Sequence, residues 1–187
     1  MTQAEAYFVQ AKSDLDVFEA LAAMDRTTIP ECHPLHYLQM AAEKIAKAIC
    51  LAWGIPLRAD GYSHVAFSSL PQHMKTKWRH VARALNKRDR DDLRSFLDRA
   101  QWHMREIEEL CPAVGPRGSG CAAPKGANAE YPWEGASGDG ATAWHAPATW
   151  RFRLLVGSDG KRTYGLVQAH HVTKLLVSRF DRLAKLP

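Results

Sequence analysis

The sequence predicts an all-α protein, an up-and-down helical bundle, on three observations. Apolar residues recur at three- and four-residue steps through most of the chain. Proline and glycine punctuate these stretches, at Pro34, Gly54, Pro56, Pro71 and Pro112. The early connections are short, which makes neighbouring helices antiparallel. On this reading residues 1–111 form the bundle, 112–148 an irregular Gly/Pro-rich loop, and 149–187 a C-terminal extension, strand-like and then helical, that packs back on the bundle.

The first helix is expected from about Gln3 to Met24, with Phe8, Ala11, Leu15, Phe18 and Ala22 on its inner face. Asp25 to Pro34 breaks it. In the second helix Leu35, Leu38, Ala42, Ile45 and Ile49 make one apolar stripe, and Glu43 and Lys47 lie one turn apart on another face. Pro34 fits its first turn, where no amide hydrogen bond is lost, and Gly54 with Pro56 stops it near Trp53. A short third helix is expected over Ser63–Leu70, burying Val65, Phe67 and Leu70 before Pro71 interrupts it. Met74, Trp78, Val81 and Leu85 continue helically. After a charged break at Asn86–Asp92 the pattern resumes with Leu93, Phe96, Leu97, Ala100, Met104 and Ile107.

Residues 112–148 show no sustained period, and their Gly-Ser-Pro-rich composition reads as loop, with Tyr131 and Trp133 pinning its middle to the bundle. Phe152, Leu154 and Val156 alternate as in a short strand, and Ser158-Asp159-Gly160-Lys161 is turn chemistry. A last helix, about Thr163 to Lys185, carries Leu166, Val167, Leu175, Leu176, Phe180 and Leu183 inward.

A chain of 187 residues, 46% apolar and 24% charged, can bury one real core. The first residues lack a basic region followed by an apolar run, and the longest apolar stretch, Ile45 to Leu57, is broken by Lys47, Gly54 and Pro56. Neither export nor membrane spanning is expected. Cysteines 32, 50, 111 and 121 have no short paired spacing, so neither a zinc knuckle nor a redox dithiol is signalled. A reducing cytoplasm is the expected setting, with Cys50 a small buried hydrophobe.

The formal charge of +5 is concentrated, since Met74 to Arg105 holds ten Lys or Arg against four Asp. Lys75, Arg79 and Arg83 are spaced four apart, and Arg90 and Arg94 repeat the step. Such a stripe attracts phosphates, and RNA is the partner it suggests; the alternative is a solvated helix surface neutralised by Asp. The positions of Trp78 and Trp102 relative to Val81, Leu85 and Ala100 favour core packing over base stacking.

The second helix, with Glu43-Lys44-Ile45-Ala46-Lys47, the first helix carrying Asp14 and Phe18, and His64 soon after, resembles the HEPN family of small prokaryotic helical domains across roughly residues 5–110. Asn128 to Glu134 is similar to a segment that follows the domain in some relatives. The resemblance implies a homodimer, or a complex with a protein encoded nearby, within a toxin-antitoxin or antiviral defence module. It also implies a metal-independent endoribonuclease signature, Arg followed by four to six residues and His. The imidazole can take a proton from a ribose 2′-hydroxyl or give one to the leaving oxygen, while the guanidinium holds phosphate oxygens.

Two pairs have that spacing: Arg58 with His64, and Arg26 with His33. With fifteen Arg and nine His in the chain, about two such pairs arise by chance, so spacing alone decides nothing. Arg58 and His64 are the preferred catalytic pair, His64 otherwise capping the third helix or bonding a backbone carbonyl. Arg26 and His33 flank a loop containing Pro30 and are the poorer choice. His33 and His36 lie three apart without a clear third ligand, and adjacent His170 and His171 point to different sides of a helix, so no metal is expected. Gly115–Gly126 lacks the Gly-Lys-Ser/Thr ending of a phosphate-cradling loop, and no cofactor is called for. Two readings remain: a HEPN-like protein that binds or cleaves RNA, or a noncatalytic adaptor or small-ligand-binding domain paired with a protein such as a nucleotidyltransferase.

Overall fold

The computed structural model describes residues 1–24, 29–57, 66–108, 110, 133–136, 142–149 and 164–185. It is an all-α bundle. Its helices are α1 (Gln3–Ala23), α2 (Cys32–Ala52), α3 (Ala66–Thr76), α4 (Trp78–Ala84), α5 (Arg90–Glu108) and α6 (Tyr164–Ala184). No described helix is long and apolar enough to cross a membrane.

The central helix is α2, which packs against α1, α3, α5 and α6. Its stripe Leu35, Leu38, Ala42, Ile45 and Ile49 is fully buried, and Ala41, Ala46 and Ala48 bury the flanks. Small side chains on those flanks let neighbouring helices approach from several directions. Its end is a Schellman motif: Gly54 takes φ +69°, its amide reaches Leu51 O at 3.0 Å, and the Ile55 amide reaches Cys50 O at 2.9 Å. Cys50 is a buried free thiol, pushed up to about 11 by desolvation.

Helix α1 starts with a reciprocal cap, in which the Glu5 amide donates to Thr2 Oγ1 and the Thr2 amide to Glu5. Two pairs of contacts fix it antiparallel to α2: Tyr7 beneath Lys47, and Asp14 against Lys44. It is also antiparallel to α6, since Phe8 stacks on Phe180 with ring centroids 4.3 Å apart and Phe18 meets His170 edge-on. Glu19 accepts from Lys174 at 2.7 Å and bonds His170 at 2.8 Å, and these two partners hold its carboxyl below the usual range. The C-terminal ends of α2 and α6 are joined where Trp53 Nε1 donates to Leu183 O at 2.8 Å.

Three expectations are corrected. Helix α3 runs through Pro71, and the break falls at Lys77. The proline forfeits one amide bond, but Phe67, Leu70, Pro71 and Met74 form a buried stripe whose packing outweighs that loss. Val167 on α6 is exposed, because burial of Leu166 and Ala169 turns it outward. The segment expected to be irregular contains a hairpin, with β1 (Trp133–Ala136) antiparallel to β2 (Thr142–His145) and Trp133 opposite His145. Two short Trp-bearing stretches around Ser-Gly-Asp-Gly-Ala were the available signal. Beyond them a single 3₁₀ turn, Pro147–Thr149, lies against α2. Ser63, Val65, Tyr131 and the strand expected at Phe152–Val156 lie outside the described residues.

Candidate nucleic-acid interface

The basic residues singled out in the sequence fall on three consecutive helices. Helix α3 runs antiparallel to α5, held by Ser68 with Glu108, Gln72 with Gln101 and Lys75 with Asp98. Glu108 replaces a local cap for α3: its Oε1 accepts the Ser68 amide at 2.9 Å, and the Phe67 amide also bonds it. Burial lifts the Glu108 carboxyl above its ordinary value, and the Glu43 charge adds to this against the Ser68 and Phe67 hydrogen bonds.

At the far end of α3, Lys75 Nζ lies 2.7 Å from Asp98 Oδ1, while Arg94 Nε lies 3.7 Å from Oδ2 of the same carboxylate. Asp98 thus brings Lys75 and Arg94 together, and Lys75 holds its carboxyl below the usual range. Arg79 opens α4 with its guanidinium 5.1 Å from the Trp78 ring centre. Arg79, Arg83, Arg90 and Arg94 are exposed, and Lys75 is half-buried.

Local chemistry explains why α4 and α5 present these cations outward. Val81, Ala82, Ala84 and Leu85 turn inward on α4, and Leu93, Leu97, Ala100, Met104 and Ile107 on α5. Asn86 ends α4 at φ 54°, with the Lys87 amide on Ala82 O at 2.7 Å. Asp89 then caps α5 by accepting the Asp92 amide at 2.8 Å, and Asp92 accepts the Arg88 amide at 3.1 Å. Asp89 and Asp92 are therefore engaged with backbone, and Asp92 also lies 3.7 Å from Arg88 Nε. Among the described residues, Arg83, Arg90 and Arg105 have no carboxylate at ion-pair distance.

Sequence reasoning missed Trp102, which was expected in the core and is 67% exposed. Positions two residues from Ala100 and from Met104 lie about 200° around a helix from each, which was the signal for an outward side chain. Trp78, by contrast, packs partly buried against the core as expected.

The Arg58 and His64 pair lies outside the described residues, as does Arg26; His33 is exposed near the start of α2. Among the described residues no three His, Cys, Asp or Glu side chains gather to hold a metal ion. His170 packs against Phe18 while His171 faces outward, as their adjacency required.

The Glu43–Lys47 motif is built into the interior. Lys44 Nζ reaches Asp14 Oδ2 at 2.6 Å, Gln10 donates to the same Asp14 at 2.9 Å, Lys47 pairs with Glu43, and Gln39 donates to Glu43 at 3.1 Å. Its charges are used between and along helices, leaving the cationic surface to α3–α5. No protein-family model, curated protein or solved structure matches this chain.

Proposed function

We propose that this protein is a HEPN-like bundle that binds RNA through the cationic face of α3–α5. The observation that carries the reading is the outward display of Arg79, Arg83, Arg90 and Arg94, with Arg83 and Arg90 free of carboxylates among the described residues. Asp98 lies beside Arg94 and Asp92 beside Arg88, but Asp89 and Asp92 also accept backbone amides at the start of α5, and neither Arg83 nor Arg90 has a carboxylate partner among the described residues. Unpaired guanidiniums displace counterions from phosphates and supply affinity without reading sequence.

The catalytic part of the proposal is the resemblance's Arg58 and His64. His64 takes the 2′-hydroxyl proton, the 2′-oxygen attacks phosphorus, and the bond to the 5′-oxygen breaks as that oxygen takes a proton from solvent water, leaving a 2′,3′-cyclic phosphate and a 5′-hydroxyl. Arg58 holds the non-bridging oxygens while charge builds.

RNA affinity measured against salt tests binding. It should fall steeply, and Arg83→Gln with Arg90→Gln should flatten the log–log slope by about one to two. Salt-independent affinity sinks the reading. Digestion of RNA in the presence of chelator by wild type and His64→Ala tests cleavage, and equal activity removes that pair. A chain that binds no RNA but co-purifies stoichiometrically with a second protein is the adaptor.

A further inference from the structure

We infer that the outer ridge of α5 is a stacking platform for unpaired RNA bases, with Trp102 as the stacking side chain; this rests on the RNA-binding reading and specifies the class of RNA. Trp102 is 67% exposed, an unusual position for the largest apolar side chain, on a helix whose opposite stripe is fully buried. Two thirds of its surface is open to solvent, and among the described residues no aromatic ring or cation lies over its indole, which leaves ring surface for a planar ligand.

The surroundings select a polyanion. Arg99 and Arg105 stand three residues to either side of Trp102, one helical turn away, and both are exposed. Arg99 Nη1 donates to Ser95 Oγ at 2.7 Å, which lays its guanidinium along the ridge. The acids one turn from Trp102 are Asp98 and Glu106, and each has a partner: Asp98 holds Lys75 at 2.7 Å, and Glu106 bonds His103 at 3.0 Å. The ridge therefore offers an aromatic face between two cations with its carboxylates occupied. An unpaired nucleotide matches that order, since its base stacks on the indole while phosphates on both sides meet guanidiniums. A duplex hides its base faces and can use only the arginines.

The ridge continues into the wider basic face through Asp98, where Lys75 and Arg94 converge. A single strand lying on Trp102 thus runs on toward the cations of α3–α5. A second copy of this chain fits less well, because the same ridge would bring like charges together.

The test is binding of one RNA sequence, as single strand and as duplex, to wild type, Trp102→Ala, Trp102→Phe and the Arg83→Gln/Arg90→Gln double variant. Trp102→Ala should weaken single-strand binding about tenfold and leave the duplex and the salt slope unchanged, while Trp102→Phe restores most of the loss. Unchanged single-strand affinity in Trp102→Ala, with loss in the double arginine variant, overturns the platform and leaves the RNA reading standing. Absence of RNA binding by wild type at low salt overturns both. Sedimentation of the same proteins covers the other occupant: a wild-type dimer that Trp102→Ala makes monomeric assigns the ridge to self-association and also overturns the platform.

Discussion

Helices α1 and α2 and helices α3–α5 use charge in opposite ways. In the first pair, Lys44 meets Asp14 with side chains only 18% and 7% exposed, and Lys47 meets Glu43 beside them. In the second group, cations outnumber acids and six arginines, Arg79, Arg83, Arg90, Arg94, Arg99 and Arg105, face solvent. The Asp14–Lys44 pair specifies how α1 lies on α2, because a shifted register would leave desolvated charges without partners, while Glu43 and Lys47 pair along α2 itself. The outward arginines specify nothing about the fold. Charge turned inward fixes structure here, and charge turned outward is available to a ligand.

The largest expected effect breaks the first half of this contrast. Asp14→Ala strands the Lys44 ammonium and should cost about 3 kcal/mol in chemical denaturation, whereas Asp14→Leu with Lys44→Met should recover most of that loss. If the single and double variants lose equal stability, the pair is not what sets the register.

A smaller effect separates a hydrogen bond from a charge at Glu108. Glu108→Ala removes the acceptor for the α3 amides and should cost about 1–2 kcal/mol. Glu108→Gln keeps an acceptor and removes a buried ionisation. Because the folded carboxyl titrates above 4.5, its protonated form favours folding; that contribution is complete below the unfolded value and is lost as pH rises through the folded one. The Gln variant should therefore gain on wild type as pH rises from below 4.5, read from unfolding midpoints at increasing pH. A constant difference would assign the residue no linked proton.

The smallest effect sharpens the second half of the contrast. Arg83→Gln and Arg90→Gln should each leave stability within about 0.5 kcal/mol, since both side chains are exposed and neither meets a carboxylate among the described residues. A thermal-melting loss well beyond that would make these arginines structural after all.

Much of the bundle was legible because burial imposes period. Leu35 to Ile49, the stop at Gly54 and the inward stripe of α5 follow from spacing and backbone chemistry that any neighbour would enforce. What was less legible depends on partners distant in sequence. Asp14 and Lys44 are thirty residues apart, and nothing local shows that one will neutralise the other. Pro71 was read by its local cost, while the packing that outweighs it comes from other helices. At the candidate interface, the basic spacing was visible as a pattern, but which acids would be consumed by caps and which left as counter-charges was not. Trp102 was misplaced by treating sequence proximity to Ala100 as shared direction.

The pairing of α1 with α6 sets an order on synthesis. Phe8 and Phe18 are covered by Phe180 and His170, which belong to α6 and are made long after α1. At about 5–20 residues per second a ribosome needs on the order of ten seconds to travel from the end of α1 to the start of α6. Through that interval the nascent polypeptide carries an aromatic seam that its own α6 has yet to cover.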